Sequence, residues 1–403
     1  MAASMTRGTA GNLGYLDEHL QKYIAAGNLP GALTVVHYRG EVAHWSAQGM
    51  MDREGSRPVR DDTIYRIYSM TKPIVSVALM QLYERGRVQI DDPVYKYIPF
   101  WENLRVYQTG SYPNFQTVAC DRHMTVRDLL SHQSGLTYGH TMHTNVDAAY
   151  RELGIGGPAV PTLQAMVDHL ATLPLEFSPG TAWLYSISTD VVGHLVEVIS
   201  GQRLDAYLQE HIFTPLGMPD TGFWTDQRDR LATNYRPAAG GGIEVAPDWV
   251  GRSYVEEPTF LSGGGGLVST AGDYLRFCQM LLGEGTVDGV RILGRKTLEL
   301  MTQNHLSGGQ TIYEASFTGR YQASHAGNGF GLGFSVQLDT ADSQIAGSPG
   351  EYNWSGAAST LFWIDPAEEL AVIFMTQYLP GGAPETRYNL SRELRAIIYG
   401  ALD

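Results

Sequence analysis

Apolar residues recur at helical spacing near both ends of the chain. In residues 12–26, four of them lie three or four positions apart, namely Leu13, Leu16, Leu20 and Ile24. This period places the apolar side chains on one face, so we predict an amphipathic helix that ends at Gly27. The same spacing predicts a second helix over residues 385–400, with an apolar face formed by Leu390, Leu394 and Ile398.

Apolar runs near both termini predict strands. The segment GALTVVHYRGEVAHWSAQG, residues 31–49, predicts a hairpin of two strands joined at Arg39-Gly40. Toward the other end of the chain three further runs follow, which are GFGLGFSVQL, AASTLFWID and LAVIFMTQY. The last two flank the turn sequence Pro-Ala-Glu-Glu at residues 366–369, so we predict that they form another hairpin.

The middle of the chain, about residues 91–300, has a different pattern. Segments of helical period alternate with long loops rich in Gly and Pro, and these segments are 124–131, 163–173, 188–200 and 271–282. The run RPAAGGG at 236–242 indicates a turn or a flexible connection. The pattern predicts no shape for the loops at about 105–120, 136–160 and 240–262.

Strands at both ends and helices in the middle predict an α+β fold of the α/β sandwich type. Residues 1–90 and 301–403 would form one antiparallel sheet flanked by the terminal helices. A mostly helical domain of residues 91–300 would be inserted between them. A ligand cleft is expected where the two domains meet.

The composition excludes several classes of partner. With 43% hydrophobic and 17% charged residues the chain is typical of soluble globular proteins. Its formal net charge of −14 argues against nucleic acid as a partner, because phosphate binding requires clustered Lys and Arg. The two cysteines, Cys120 and Cys278, form no Cys-x-x-Cys metal motif, and we predict no metal site.

No segment of the chain predicts a membrane partner. The first 30 residues lack the continuous apolar stretch of a signal peptide, and no apolar run reaches the roughly 18 residues that a membrane helix requires. We therefore expect a cytoplasmic protein.

The stretch IYRIYSMTKPIVSVALMQLYERG, residues 64–86, combines an apolar helix with polar chemistry at its start. Ser69 is predicted to cap this helix, and Pro73 falls in the first turn, where a missing N–H costs nothing. Lys72 follows Ser69 by three residues and projects from the same face. The chain has only four lysines, which are Lys22, Lys72, Lys96 and Lys296, and burial of an unpaired lysine is costly.

A serine nucleophile requires a base. The chain contains no Gly-x-Ser-x-Gly elbow, and none of its 12 histidines lies in a local motif that would nominate it. A tyrosine whose pKa is lowered by a neighbouring lysine is the other option. Two tyrosine elements qualify, Tyr112-Pro113-Asn114 and Tyr185-Ser186-Ile187, and the residues themselves leave the choice open.

Four motifs in order carry a resemblance to a known family. They are the Ser69-x-x-Lys72 helix start, LLSHQSGL (129–136), PGTAWLYSIS before a helix, and GGGLVSTAGDYLRF (264–277). With these motifs the chain resembles the serine β-lactamase and penicillin-binding-protein superfamily, class C-like, and most closely its family VIII carboxylesterases. The resemblance implies Ser69 as nucleophile, Lys72 as its partner and Tyr185, not Tyr112, as general base.

The departures from the β-lactamase pattern narrow the expected substrate. Ile187 stands where those enzymes have an amide-binding Asn, and Trp354-Ser355-Gly356 stands where a Lys-Thr-Gly element grips the substrate carboxylate. The only Lys-Thr in the chain, at Lys296, lies inside a predicted helix and lacks the Gly. Loss of the cation disfavours anionic antibiotics and favours neutral esters. By the same resemblance, the backbone N–H groups of Ser69 and Ala357 would bind the oxyanion, while Ile187 and residues 354–356 would contact substrate.

The expected function is therefore hydrolysis of short-chain neutral carboxylic esters through a serine acyl-enzyme. We expect a small-molecule ester as substrate, no cofactor, and neither nucleic acid nor membrane as partner, and the sequence predicts no oligomeric state. A β-lactamase, a D-alanyl peptidase or amidase, and an acyltransferase are alternatives that use the same residues. A non-catalytic binding homologue is least favoured, because Ser69, Lys72 and Tyr185 are all present.

Overall fold

A computed structural model provides the structure of the protein. The ranges that it describes are 13–157, 159–247, 253–319, 326–380 and 385–402.

Thirteen α-helices lie in these ranges. In chain order, α1 to α13 are Gly14–Ala25, Thr71–Glu84, Val126–Leu130, Asn145–Glu152, Leu163–Leu170, Ser188–Ser200, Leu204–Leu208, Thr214–Leu216, Ala271–Leu282, Arg295–Met301, Ile312–Ala315, Thr340–Ser343 and Glu385–Tyr399. The predicted helices at both ends and at the four central segments are thereby confirmed. No helix of the described residues is long and apolar enough to cross a membrane.

Sixteen strands accompany the helices in the same ranges. In chain order, β1 to β16 are Gly31–Tyr38, Glu41–Asp52, Arg57–Pro58, Tyr65–Arg66, Arg105–Ser111, Asn114–Ala119, Tyr235–Pro237, Ile243–Val245, Val268–Ser269, Thr286–Val287, Val290–Arg291, Asn328–Phe330, Ser335–Gln337, Tyr352–Ser355, Leu361–Asp365 and Leu370–Met375.

Eight strands form one antiparallel sheet that both chain ends build. Its order is β12-β13-β14-β15-β16-β1-β2-β3, so the hairpin of β1 and β2 lies beside the hairpin of β15 and β16. Strand β1 joins the two halves through a continuous register with β16, from Leu33 opposite Met375 to Tyr38 opposite Leu370. The predicted α+β fold is confirmed.

Helices cover both faces of this sheet. On one face, apolar side chains of α1 and α13, such as Leu20 and Leu394, pack with Val36 and Trp363 of the strands. On the other face α9 contacts β1, β15 and β16, and the buried helix α2 packs against α6. Residues 71–82 of α2 are all buried, as its apolar sequence predicts. The division into domains at residues 90 and 300 stays a prediction.

Three short hairpins in the middle of the chain have no counterpart in the predicted helical pattern. They are β5–β6, β7–β8 and β10–β11. The first falls in the loop at 105–120, and its side chains are mostly exposed, so no apolar alternation marks it. The run RPAAGGG connects β7 and β8, which confirms that it contains a turn.

Candidate active site

Ser69 lies in a tight turn that leads directly into α2. Residues Tyr68–Met70 form one 3₁₀ turn, and Met70 occupies the N-cap position of the helix. The prediction that Ser69 caps α2 is therefore wrong, because Ser69 already has helical geometry. Its hydroxyl instead accepts a hydrogen bond from Lys72 Nζ at 3.2 Å. Ser69 is partly exposed and so can be reached by a substrate.

The residue before the serine holds an uncommon backbone conformation. Tyr68 has a φ of 43°, in the left-handed region that bulky residues rarely adopt. Its hydroxyl accepts a hydrogen bond from the side-chain amide of Asn234 at 3.0 Å, and its ring lies edge-on to Tyr254. These contacts fix the turn that presents Ser69. The positive φ of Tyr68 is the kind of backbone strain found at functional sites.

Lys72 is buried with two oxygen partners and two aromatic rings. Only 1% of the residue is exposed. Besides Ser69 Oγ, Nζ donates to the backbone carbonyl of Gly264 at 2.6 Å. It lies 4.5 Å from the ring centroid of Tyr185 and 5.4 Å from that of Tyr138. Among the described residues no carboxylate forms an ion pair with Lys72.

This environment lowers the pKa of Lys72 to about 7, because burial disfavours the charged form, and the carboxylate of Asp190 opposes the effect only in part. A large share of Lys72 is therefore a neutral amine near pH 7. A neutral amine can donate one hydrogen to Gly264 and accept the proton of the Ser69 hydroxyl through its lone pair.

Tyr185 stands beside Lys72 in an aromatic enclosure. Its ring centroid lies 4.9 Å from that of His132, 5.3 Å from Trp354 and 5.4 Å from Tyr138. Trp183 stacks nearly parallel to it at 6.4 Å. Packing on several sides restricts the ring to one orientation beside the lysine, and Tyr185 itself remains partly exposed.

A chain of buried hydroxyl groups connects two of the sequence motifs. Ser134 Oγ lies 2.7 Å from Ser188 Oγ, Ser188 Oγ lies 2.7 Å from Ser186 Oγ, and Ser186 Oγ lies 3.3 Å from His132 Nδ1. Burial, together with the charge of Lys72, holds the pKa of His132 well below its usual range. A neutral His132 can accept from the Ser186 hydroxyl, so the chain anchors the segment that carries Tyr185.

The segment Trp354-Ser355-Gly356 forms one wall of the site. Trp354 pairs with Phe362 of β15, whereas the pairing of β13 with β14 ends at Asn353, so residues 354 and 355 extend beyond β13. Trp354 is buried, and its ring also contacts Phe330, with centroids 5.2 Å apart. The wall is apolar at the position where a lysine would supply a cation.

Gly356 allows this segment to approach the serine turn. A Cβ at Gly356 would lie 2.4 Å from the carbonyl oxygen of Ile67 and 2.2 Å from Thr360 Oγ1, so only glycine fits. Ala357 therefore comes next to the turn of Ser69 and packs in the same cluster as Tyr68. Within the described residues no group accepts the N–H of Ala357, which leaves that donor available to a ligand.

The other two candidates lie in different surroundings. Ile187 is 99% buried in the main core, and its N–H donates to the Thr137 carbonyl at 3.3 Å. Its role in substrate binding stays a prediction.

Tyr112 lies in the turn between β5 and β6, and no contact with Ser69 or Lys72 joins it to the site among the described residues. The described residues contain no cluster that could hold a metal ion.

Sequence reasoning missed Asp190, whose negative charge acts on Lys72. The residue is 2% exposed, and its Oδ1 accepts hydrogen bonds from Ser262 Oγ at 2.5 Å and from the Gly264 N–H at 3.1 Å. A Cβ at Gly264 would lie 2.3 Å from Asp190 Oδ2, so glycine is required there. Gly264 thus joins Asp190, through its N–H, to Lys72, through its carbonyl.

Comparison with known proteins agrees with this geometry. The Beta-lactamase family model matches residues 16–396. The chain belongs to the beta-lactamase family. Esterase EstB from Burkholderia gladioli is 32% identical over 384 residues, which cover 90% of this chain and 89% of that protein. The family resemblance inferred from the motifs is confirmed, and the family relationship makes the chain a serine hydrolase.

Two solved structures share the fold over nearly their whole length. The first is EstCE1, described as a hydrolase with promiscuous acyltransferase activity, with a TM-score of 0.81 and 25% identity over 96% of this chain and 98% of that chain. The second is simvastatin synthase (LovD) from Aspergillus terreus, with a TM-score of 0.81 and 26% identity over 97% of this chain and 99% of that chain.

Proposed function

We propose that this protein is a carboxylesterase that hydrolyses short-chain neutral esters through an acyl-enzyme on Ser69. One observation carries the proposal: the Nζ of a buried, largely desolvated Lys72 lies 3.2 Å from the Ser69 hydroxyl. A lysine with a pKa of about 7 can take a proton at neutral pH, which an ordinary lysine cannot. The similarity to esterase EstB supports the same assignment.

Acylation begins when the Ser69 hydroxyl proton passes to Tyr185 and Lys72. Tyr185 acts as the base, and Lys72 beneath its ring shares the proton, so the two residues titrate as one coupled pair. The freed Ser69 Oγ forms a bond with the ester carbonyl carbon. The tetrahedral intermediate then collapses, the bond to the alkoxy oxygen breaks, and the pair returns the proton to the departing alcohol. Water repeats the sequence and releases the acid.

The oxyanion of each intermediate would be held by the backbone N–H groups of Ser69 and Ala357. Each donor of this kind contributes roughly 3–4 kcal/mol to stabilisation of the transition state. The close approach of Gly356 to Ile67 supports this role, because it brings Ala357 beside the serine turn.

The walls of the site favour a neutral substrate. Trp354 supplies an apolar face and no positive charge for a carboxylate. Ile187, which is buried in the core, supplies no side-chain donor or acceptor for an amide. A β-lactam or peptide substrate would lose both interactions. The natural ester would therefore have uncharged groups on both sides of the scissile bond.

Acyl transfer to an alcohol is the second candidate. EstCE1 and simvastatin synthase, which share the fold, are named for acyltransferase or synthase activity. The same acyl-enzyme serves both reactions, and the outcome depends on whether water or an alcohol reaches it. Addition of a primary alcohol to the ester assay measures the partition between acid and new ester.

The test compares p-nitrophenyl butyrate with a chromogenic cephalosporin. We expect rapid release of nitrophenol by wild type, slow turnover of the cephalosporin, and loss of ester hydrolysis in Ser69→Ala. Ser200→Ala is the matched control, because Ser200 ends α6, about 18 Å along the helix from its start. Unchanged ester hydrolysis by Ser69→Ala would refute the proposal, and faster turnover of the cephalosporin than of the ester would refute the ester assignment.

A further inference from the structure

Asp190 occupies a helix position at which other helices of this protein use their carboxylates differently. It is the third residue of α6, as Asp128 is of α3 and Asp147 is of α4. Asp128 and Asp147 each complete a capping box with a threonine at the N-cap of their own helix. Helix α6 has Ile187 at its N-cap and no side-chain cap, so Asp190 does not serve its own helix in this way.

The carboxylate of Asp190 instead bonds to the glycine loop 263–266. It accepts hydrogen bonds from the Ser262 hydroxyl and from the Gly264 N–H. The backbone carbonyl of the same Gly264 accepts a hydrogen bond from Lys72 Nζ. A buried carboxylate is costly unless hydrogen bonds offset its desolvation, and Ser262 and Gly264 donate such bonds to Asp190. Here those bonds orient the acceptor that holds Lys72 Nζ.

We propose that Asp190 is a positioning residue that fixes the Gly264 carbonyl against Lys72 and sets how readily the Tyr185–Lys72 pair gives up its proton. The inference deepens the proposed esterase function and rests on it. Asp190 acts on the reaction only through Gly264 and through its negative charge.

Few groups face Lys72 in the part of the chain that the structure describes, so the effect of Asp190 can be separated. Ser69 lies on the turn before α2, and the rings of Tyr138 and Tyr185 lie over Nζ. His132 is neutral because of its burial. Asp190 is the carboxylate whose charge acts on Lys72, and it raises the pKa that burial lowers.

The first test is the pH profile of kcat/KM for p-nitrophenyl butyrate in Asp190→Asn. Removal of the negative charge favours loss of a proton from the Tyr185–Lys72 pair, whichever residue carries it. The acidic limb should therefore move to lower pH by about 1 unit. Asp190→Ser, a smaller neutral acceptor, is the second variant, and its limb should move in the same direction.

Asp128→Asn is the matched control. Asp128 has the same helix position and the same 2% exposure as Asp190, but its carboxylate bonds to Arg122 and its own N-cap. We expect this variant to lower the melting temperature and to leave the acidic limb of the pH profile in place. Asp190→Ala should reduce kcat more than Asp190→Asn, because Gly264 and Ser262 lose their acceptor.

A second readout separates failure of the inference from failure of the proposed function. The rate at which a p-nitrophenyl phosphonate labels Ser69 is measured against pH in wild type, in Asp190→Asn and in Asp190→Ser. If wild type is not labelled at Ser69, the esterase proposal fails. If wild type is labelled and both variants keep the wild-type limb, or if neither variant folds, Asp190 has only a structural role and the inference is overturned.

Discussion

Two of the basic side chains buried in the described part of the chain, Arg395 and Lys72, are held in opposite ways. Arg395 on α13 is 6% exposed and bonds to Glu351, which is fully buried, through Nη2–Oε1 at 2.9 Å and Nη1–Oε2 at 3.2 Å. Its guanidinium also lies 4.2 Å from the ring centroid of Trp363. Lys72 is buried more deeply, yet its partners are a hydroxyl and a carbonyl.

The difference follows from the chemistry of the two side chains. An arginine does not lose its proton in a protein, so its buried charge needs compensation, which the carboxylate of Glu351 provides for Arg395. A lysine can respond to burial by losing its proton, and within the described residues no carboxylate forms an ion pair with Lys72, so its pKa is lowered to about 7. Arg395 thus fastens the last helix through Glu351, whereas in the proposed mechanism Lys72 helps to activate Ser69.

The largest expected effect is the loss of activity in Lys72→Met. This change removes the group that shares the Ser69 proton, so kcat/KM for p-nitrophenyl butyrate should fall by about 10⁴. The melting temperature should stay constant or rise, because an apolar side chain of similar size replaces a desolvated amine. A large drop in melting temperature, with activity retained in the folded fraction, would show that Lys72 is structural.

Tyr185→Phe should cause the next largest loss of activity. The variant keeps the ring packing against His132 and Trp354 but removes the hydroxyl, and kcat/KM should fall by about 10³. Tyr112→Phe is the control, since Tyr112 lies in a hairpin turn, and its activity should equal that of wild type. Equal losses in both variants, or a loss in Tyr112→Phe alone, would overturn the choice of base.

Arg395→Met should affect stability and not chemistry. It leaves Glu351 buried without its cation, which should cost about 3–5 kcal/mol of the free energy of unfolding in a denaturant titration. Activity per folded molecule should not change. If Arg395→Met folds normally but hydrolyses the ester poorly, the contrast between a structural and a catalytic cation is false.

The smallest effect is the pH dependence of wild type. The pKa of Lys72 is lowered to about 7, so below this pH the Tyr185–Lys72 pair carries one proton too many to accept another from Ser69. We expect kcat/KM to fall by about tenfold per pH unit below that value and to level off above it. A profile that stays flat down to pH 5 would contradict a titrating lysine.

The elements that local pattern determines could be predicted from the sequence. The period of apolar residues locates α1, α2, α6 and α9, and turn residues locate the hairpins of the large sheet. The hairpin β5–β6 carries no such period, because its side chains are mostly exposed and Asn145 of α4 holds it by bonding to Gly110. Contacts of that kind are set by tertiary structure.

In the candidate site, too, residues close in sequence could be predicted to lie together, whereas residues far apart in sequence could not. Ser69 and Lys72 lie within one turn of chain, so their proximity follows from their spacing. Asp190 and Gly264 are 74 residues apart and meet only in the folded chain. Two local signals could have nominated them. One is an aspartate at the third position of a helix without a polar N-cap, and the other is the glycine run 263–266, which opens the fourth family motif.

The most direct measurement identifies, by mass spectrometry, the residue that reacts with a phosphonate inhibitor. Wild type and Ser69→Ala are treated with a p-nitrophenyl phosphonate, and intact-mass spectrometry and peptide mapping then locate the adduct. The account predicts one adduct per wild-type molecule, on Ser69, with parallel loss of ester hydrolysis, and none in Ser69→Ala. An adduct on another residue, or complete inactivation of the esterase while Ser69 stays unmodified, would contradict it.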